Sequence, residues 1–179
     1  MELTSINNGW IIAVLFGLVG LCIGSFVNVV CYRLPIIRKL GEFSDGDYLR
    51  EQIAKHGKFT LSAPRSTCPC CGTKIKAWHN IPVLSWLLLR GKCASCASAI
   101  SIKYPAVELL FGGGFAGYIW FEGITAAGLV TLPMMAIGYC LASIRVLHGV
   151  ILKPLAVTYV GALILQMVLT SMGYSAYVP

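Results

Sequence analysis

With 57% hydrophobic and only 12% charged residues over 179 positions, the chain falls far short of the roughly one-quarter charged content of a soluble domain. That excludes a water-soluble globule and points to a polytopic membrane protein. The net charge of +7 raises the question of nucleic acid. Its distribution argues against one. Twelve of the 14 Lys and Arg lie between Arg33 and Lys103, where only Glu42, Asp45, Asp47 and Glu51 oppose them, a local net of +8. Basic segments beside spans mark the cytoplasmic side, so no nucleic-acid partner is expected.

Met1 to Asn8 carries no Lys or Arg, and the apolar stretch behind it is too long for a secretory h-region, so no cleavable signal peptide is expected. Trp10 to Cys31 is apolar apart from Ser25 and Asn28 and reads as a first span, within a unit 1–35. Arg33, Arg38 and Lys39 should stop it at the cytoplasmic face, leaving the N-terminus outside. Residues 36–103 read as a cytoplasmic loop, with a short amphipathic helix over Asp47 to Lys55 and a cysteine module over 64–103. Ile81 to Leu89 is apolar but too short to cross a bilayer; it either packs against the cysteine knuckles or lies at the membrane interface.

Residues 104–179 read as three further spans. Tyr104 to Phe121 is followed by an external turn at Glu122-Gly123. Thr125 to Ile144 carries Pro133 and a kink. Arg145 to Lys153 makes a cytoplasmic connection, and Pro154 to Met172 returns the C-terminus outside. The expected fold class is therefore an all-α polytopic membrane protein of about four transmembrane helices, with a small cytoplasmic zinc-knuckle module between the first two. Gly17, Gly20 and Gly24 on the first span, and Gly112 to Gly114 with Gly117 on the second, allow close helix approach, within the chain or to a partner's helix. No internal repeat is evident.

The loop carries Cys68-Pro69-Cys70-Cys71 and Cys93-Ala94-Ser95-Cys96. A Cys-x-x-Cys spacing places two thiolates on one turn, and two such turns supply four sulfurs to a tetrahedral Zn²⁺. The expected ligands are Cys68, Cys71, Cys93 and Cys96. Cys70 reads as a spectator, with an exchange of Cys70 for Cys71 left open. A reducing cytosol keeps such thiols free for metal. Cys22, Cys31 and Cys140 fall in spans and read as apolar filler. Glu108 lies about one turn inside the second span, where an acid is costly and has a partner or a task. Two readings stand: an ion pair with Arg33, or attraction of a substrate α-amine. His148, Asn28 and Ser25 read as helix-end or helix-packing residues.

The first span ends Gly24-Ser25-Phe26-Val27-Asn28-Val29-Val30-Cys31-Tyr32-Arg33-Leu34-Pro35. Then come Pro64-Arg65-Ser66-Thr67-Cys68-Pro69-Cys70-Cys71, Asn80-Ile81-Pro82-Val83-Leu84-Ser85-Trp86, Leu89-Arg90-Gly91-Lys92-Cys93 and Tyr104-Pro105-Ala106-Val107-Glu108-Leu109. From about residue 20 to 110 this order of motifs resembles the N-terminal portion of type IV prepilin leader peptidase/N-methyltransferases. The resemblance implies a bacterial inner-membrane protein. It also implies a bifunctional activity: leader cleavage by two aspartates at the ends of later spans, then methylation of the new N-terminus from S-adenosylmethionine. Two carboxylates suit the cleavage because one, ionised, activates water while the other, protonated, polarises the amide.

The catalytic stretch departs from that pattern. The resemblance sets Arg145-Val146-Leu147-His148-Gly149-Val150-Ile151-Leu152-Lys153 against the family's first aspartate motif, with Arg145 and Lys153 at the acid positions and His148 in register. Asp45 and Asp47, both in the loop, are the chain's aspartates, and the second catalytic motif is absent from the sequence. A permanent cation cannot do the general acid/base work of a carboxylate. The leading expectation is a peptidase-dead homologue that binds pilins or pseudopilins, an active peptidase or assembly-platform proteins of a pilus or secretion system. The alternative is a prepilin N-methyltransferase. In it Gly91, Lys92 and Glu108 would serve S-adenosylmethionine or the incoming pilin terminus, a role resting on the resemblance alone. The competing reading of Gly91-Lys92 is a plain turn into the second knuckle.

Overall fold

A computed structural model describes residues 9–172. Six α-helices follow in order: α1 (Gly9–Ile37), α2 (Asp47–His56), α3 (Leu84–Leu88), α4 (Lys103–Glu122), α5 (Ala126–His148) and α6 (Lys153–Ser171). Single 3₁₀ turns occupy Gly41–Phe43 and Ala77–Asn80. Among the described residues the only extended pairings are two isolated bridges in the cysteine module. The expected placement of both termini falls outside the described residues.

Three of these helices, α1, α5 and α6, are long and apolar enough to cross a membrane. The fourth expected span, α4, has 20 residues, about 30 Å at 1.5 Å per residue. Its apolar residues are diluted by Gly112, Gly113, Gly114, Gly117 and Glu108. Those same glycines explain what α4 does: it lies against α1 at backbone distance. A methyl group on Gly20 would overlap the Phe111 carbonyl, and one on Gly24 would come 2.8 Å from the Glu108 Cα. Gly112 answers from the other side, where a methyl would meet Leu21 Cδ2 at 2.6 Å. The glycines on the two helices thus form the joint between them, as small residues do where lipid supplies no hydrophobic drive. Gly113 and Gly117 face open space instead.

Beside the joint, Val27 of α1, Phe111, Phe115 and Ile119 of α4 and Leu132 and Cys140 of α5 form the core. Phe111 meets Phe115 and Tyr139 edge to face, at centroid distances of 6.2 and 5.6 Å. The Thr125 hydroxyl caps α5, accepting from the Gly128 N–H at 2.9 Å. At the other end Gly149 takes the left-handed conformation of a C-terminal cap. α6 leans on α5, with the Tyr159 ring over Gly138, and buries no residue completely.

α1 runs past Cys31 and Arg33, through Pro35, to Ile37, and ends immediately before Arg38 and Lys39. The reason is that Arg33 is not left in solvent. The loop folds back over it: its guanidinium donates to the Thr60 and Pro64 carbonyls, each at 2.8 Å, and lies 5.3 Å from the Phe59 ring centroid. The expected loop helix occupies Asp47–His56, close to the predicted bounds. The turn at Gly41–Phe43 docks on the end of α5, where Phe43 and His148 rings lie 5.8 Å apart and a Cβ on Gly41 would meet the His148 carbonyl. His148 Nδ1 also lies 3.3 Å from Glu42 Oε1, without hydrogen-bond alignment. The start of the loop and the α5–α6 connection therefore share one end of the bundle.

Candidate metal centre

Two hairpin knuckles present the cysteines, and they are built alike. In the first, Thr67 bridges Lys74, the Cys68 N–H donates to the Thr73 carbonyl at 3.0 Å, and the Gly72 N–H donates to the Cys68 carbonyl at 2.9 Å. In the second, Lys92 bridges Ala99, the Cys93 N–H donates to the Ser98 carbonyl at 2.8 Å, and the Ala97 N–H donates to the Cys93 carbonyl at 2.9 Å. This local duplication leaves little trace in the sequence because few side chains are shared beyond the cysteines. The repetition lies in the backbone.

The counterparts Gly72 and Ala97 both have positive φ, +69° and +58°. That region costs a residue with a Cβ roughly 1–2 kcal/mol, against about 0.4–1 kcal/mol of unfolded-state entropy saved relative to glycine. Ala97→Gly should therefore stabilise the module by about 0.5–1 kcal/mol and Gly72→Ala should weaken it by a similar amount. Limited proteolysis of the loop against denaturant will read the two in opposite directions; a shift in the same direction would contradict the argument.

The ligand atoms of Cys68, Cys71, Cys93 and Cys96 all lie within 4.8 Å of one another, and Cys68 Sγ is 3.8 Å from Cys96 Sγ. A disulfide needs about 2.05 Å. A tetrahedron with Zn–S bonds of about 2.3 Å has edges of about 3.8 Å. The spacing fits four thiolates around one metal ion.

Hydroxyls and amides support the sulfurs. The Ser98 hydroxyl lies 3.2 Å from Cys96 Sγ and 3.5 Å from Cys68 Sγ, and the Thr73 hydroxyl lies 3.3 Å from Cys71 Sγ. The Ser98 hydroxyl, followed by the Cys71 and Cys70 backbone N–H groups, lowers the Cys68 pKa to about 6. The same hydroxyl, with the Ser98 N–H, lowers Cys96. At Cys93 the N–H groups of Cys96 and Ser95 favour the thiolate, but partial burial and the neighbouring sulfurs of Cys68 and Cys96 outweigh them and the pKa rises. Cys70 is exposed and lies outside the four-sulfur cluster, and the charge on Cys96 raises its pKa. Sequence reasoning missed Thr73 and Ser98. Their common place, two residues after the second cysteine of each knuckle, was the available signal.

Gly91 and Lys92 form the entrance to the second knuckle. Gly91 has φ +67°, its N–H donates to the Trp86 carbonyl at 2.8 Å and its carbonyl accepts from Ile100 at 2.7 Å. A Cβ there would lie 2.8 Å from the Trp86 ring. The Trp86 indole N–H donates to the Ile100 carbonyl at 3.0 Å. Gly91 is thus required by the turn itself, whereas the Lys92 side chain is exposed.

The structure corrects the ion pair expected between Arg33 and Glu108. Arg33 holds the loop carbonyls described above. Glu108, also buried, accepts from the Val83 N–H at 2.7 Å through Oε2. Each group found a backbone partner, which discharges its hydrogen bonding without bringing two charges together. Arg145 is exposed and donates to the Gly149 carbonyl at 2.6 Å, so it caps the end of its own helix. Lys153 is the exposed first residue of α6. Asp45 and Asp47 meet at the start of α2, where the Asp47 N–H donates to Asp45 Oδ1 at 3.0 Å and Asp47 pairs with Arg50.

The family model of the bacterial peptidase A24 N-terminal domain matches residues 18–122, which include both glycine-packed helices and all four clustered cysteines. Among curated proteins, the prepilin leader peptidase/N-methyltransferase of Neisseria gonorrhoeae is 44% identical over 122 residues, covering 65% of this chain and 43% of that protein. The protein of the same name from Pseudomonas aeruginosa is 40% identical over 149 residues, covering 77% and 50% respectively. That from Dichelobacter nodosus is 46% identical over 101 residues, covering 52% and 35%. The matches thus span half or less of these relatives' length. No solved structure matches the chain. The match over 18–122 takes in more than half of the sequence, and the chain belongs to the bacterial peptidase A24 N-terminal domain family.

Proposed function

We propose that this chain is a peptidase-dead member of the family. In this reading it is a four-span protein of the bacterial inner membrane that engages pilins or pseudopilins, or an active peptidase or assembly-platform protein, without cutting a leader. α4 completes the four spans. The basic loop 36–103 and the α5–α6 connection lie in the cytoplasm, both termini lie outside, and Zn²⁺ holds Cys68, Cys71, Cys93 and Cys96.

The observation that carries the reading is Arg145. At the position that the motif resemblance sets against the family's first catalytic aspartate stands a guanidinium engaged with the Gly149 carbonyl. Asp45 and Asp47 sit side by side at an exposed helix start, one of them paired with Arg50. A dyad needs two carboxyl groups in opposite protonation states beside the scissile amide. The intact glycine joint and knuckles support a retained binding role. Reconstituted in vesicles with a prepilin and no other peptidase, the chain should leave the precursor at full length and cross-link to it. Release of the leader would overturn the reading. The second reading, methyl transfer from S-adenosylmethionine, is favoured by one observation: the Lys92 side chain is exposed at the entrance to the second knuckle, next to Cys93.

A further inference from the structure

The short helix α3 begins level with the apolar stretch of α1. Asn28 Nδ2 of α1 donates to the Tyr104 carbonyl at 3.2 Å, so α4 begins level with Asn28. Gly24 abuts the Cα of Glu108. Both Gly24 and Asn28 fall inside the apolar stretch Trp10 to Cys31. Helix side chains lean toward their own N-terminus, so the Glu108 carboxyl lies between those two levels. It accepts the N–H of Val83, the residue immediately before α3. An irregular backbone at membrane depth must have its polar groups satisfied by protein. Glu108 supplies that partner.

The two faces of α3 then differ in kind. Ser85 and Trp86 turn inward: the Ser85 hydroxyl donates to the Trp78 carbonyl at 2.8 Å, and Trp86 binds Ile100. Leu84, Leu87 and Leu88, at the i, i+3 and i+4 positions of one face, are 48%, 58% and 72% exposed. Exposed Arg90 and Lys92 follow them in the chain, and exposed Lys103 opens α4. Leucines at acyl depth with long cations beside them match an interfacial anchor, whose basic side chains extend to anionic headgroups.

We infer that α3 is embedded in the cytoplasmic leaflet, with Leu84, Leu87 and Leu88 among the acyl chains and Arg90, Lys92 and Lys103 at the headgroups. It thereby pins the cysteine module to the membrane surface. The inference rests on the spans and cytoplasmic loop proposed above, and not on which metal the cysteines hold or on whether the chain cuts, methylates or only binds.

The test uses the full chain, one copy per nanodisc of phosphatidylethanolamine and phosphatidylglycerol. A spin label is carried on a ketone-bearing amino acid, which spares the cysteines. Labels at Leu87 and Leu88 should relax several-fold more with oxygen, which partitions into lipid, than with a water-soluble nickel chelate. A label at Lys74, on the first knuckle, should show the reverse. Nickel access at Leu87 and Leu88 equal to that at Lys74 would place α3 in water and overturn the inference. Exclusion of both reagents there would mean a protein contact, and would overturn it equally.

Discussion

Cys93→Ser is expected to strip the metal from the cysteine centre and to loosen the loop around it. The four sulfurs meet at the spacing of a tetrahedral thiolate site, and structural Zn²⁺ in small modules contributes about 10–16 kcal/mol of apparent binding free energy at neutral pH. The module has little buried core of its own. Its exposed residues include Cys71, Cys96 and most of the positions between the knuckles. Loss of one thiolate removes a quarter of the ligand set and leaves the others as mutually repelling sulfurs. Wild-type protein purified without chelator should carry about one Zn²⁺ per chain. Cys93→Ser and Cys71→Ser should carry none, with proteolysis of the loop rising sharply. Cys70→Ser and Cys140→Ser should keep the metal. If Cys70→Ser loses it while Cys71→Ser does not, the two neighbours exchange roles. A wild-type content near zero would remove the metal from the account altogether.

The amino-acid order made some of this architecture legible and hid the rest for physical reasons. Spans show in sequence because hydropathy sums along a helix. α1, α5 and α6 were therefore evident, and so was the metal pattern, since Cys-x-x-Cys is a local geometry. The Gly17, Gly20 and Gly24 series correctly marked a close helix approach because a missing Cβ acts at one fixed place. Partner choice is another matter. Arg33 and Glu108 sit at plausible pairing distance by hydropathy alone, yet each is taken by backbone groups from residues 60–83. Those groups come from a loop whose path no periodicity encodes. The same loop hides the extra turns of α1, which persist because Arg33 is covered from above. The sharing of one backbone design by the two knuckles was invisible for the opposite reason: hydrogen-bonded turns tolerate different side chains, and only Gly72 and Ala97 betray the common left-handed residue.

Supplied with S-adenosylmethionine and a pilin whose leader has already been removed, the chain is expected to bind the pilin and transfer no methyl group. Two of the residues singled out for such chemistry, Gly91 and Glu108, are held by other duties. Gly91 is filled against by Trp86 and fixed in a left-handed turn. Glu108 spends an oxygen on Val83, and its buried position faces α1 across the glycine joint. An acceptor already engaged has less to offer a substrate amine, since breaking a buried hydrogen bond leaves the Val83 N–H unsatisfied at a cost of about 1–3 kcal/mol. Lys92 decides between the readings. Its side chain is exposed and holds no part of the knuckle's hydrogen bonding, which runs through the backbone, so Lys92→Ala leaves the knuckle standing. Gly91→Ala, by contrast, would disturb the turn and the metal centre together, and its loss of activity would carry no information about chemistry. Radiolabelled methyl on the pilin terminus would displace the pseudoenzyme reading. If that transfer then fell about 10²-fold in Lys92→Ala, the scale of a lost polar catalytic group, with the zinc content unchanged, Lys92 would belong to a methyltransferase site.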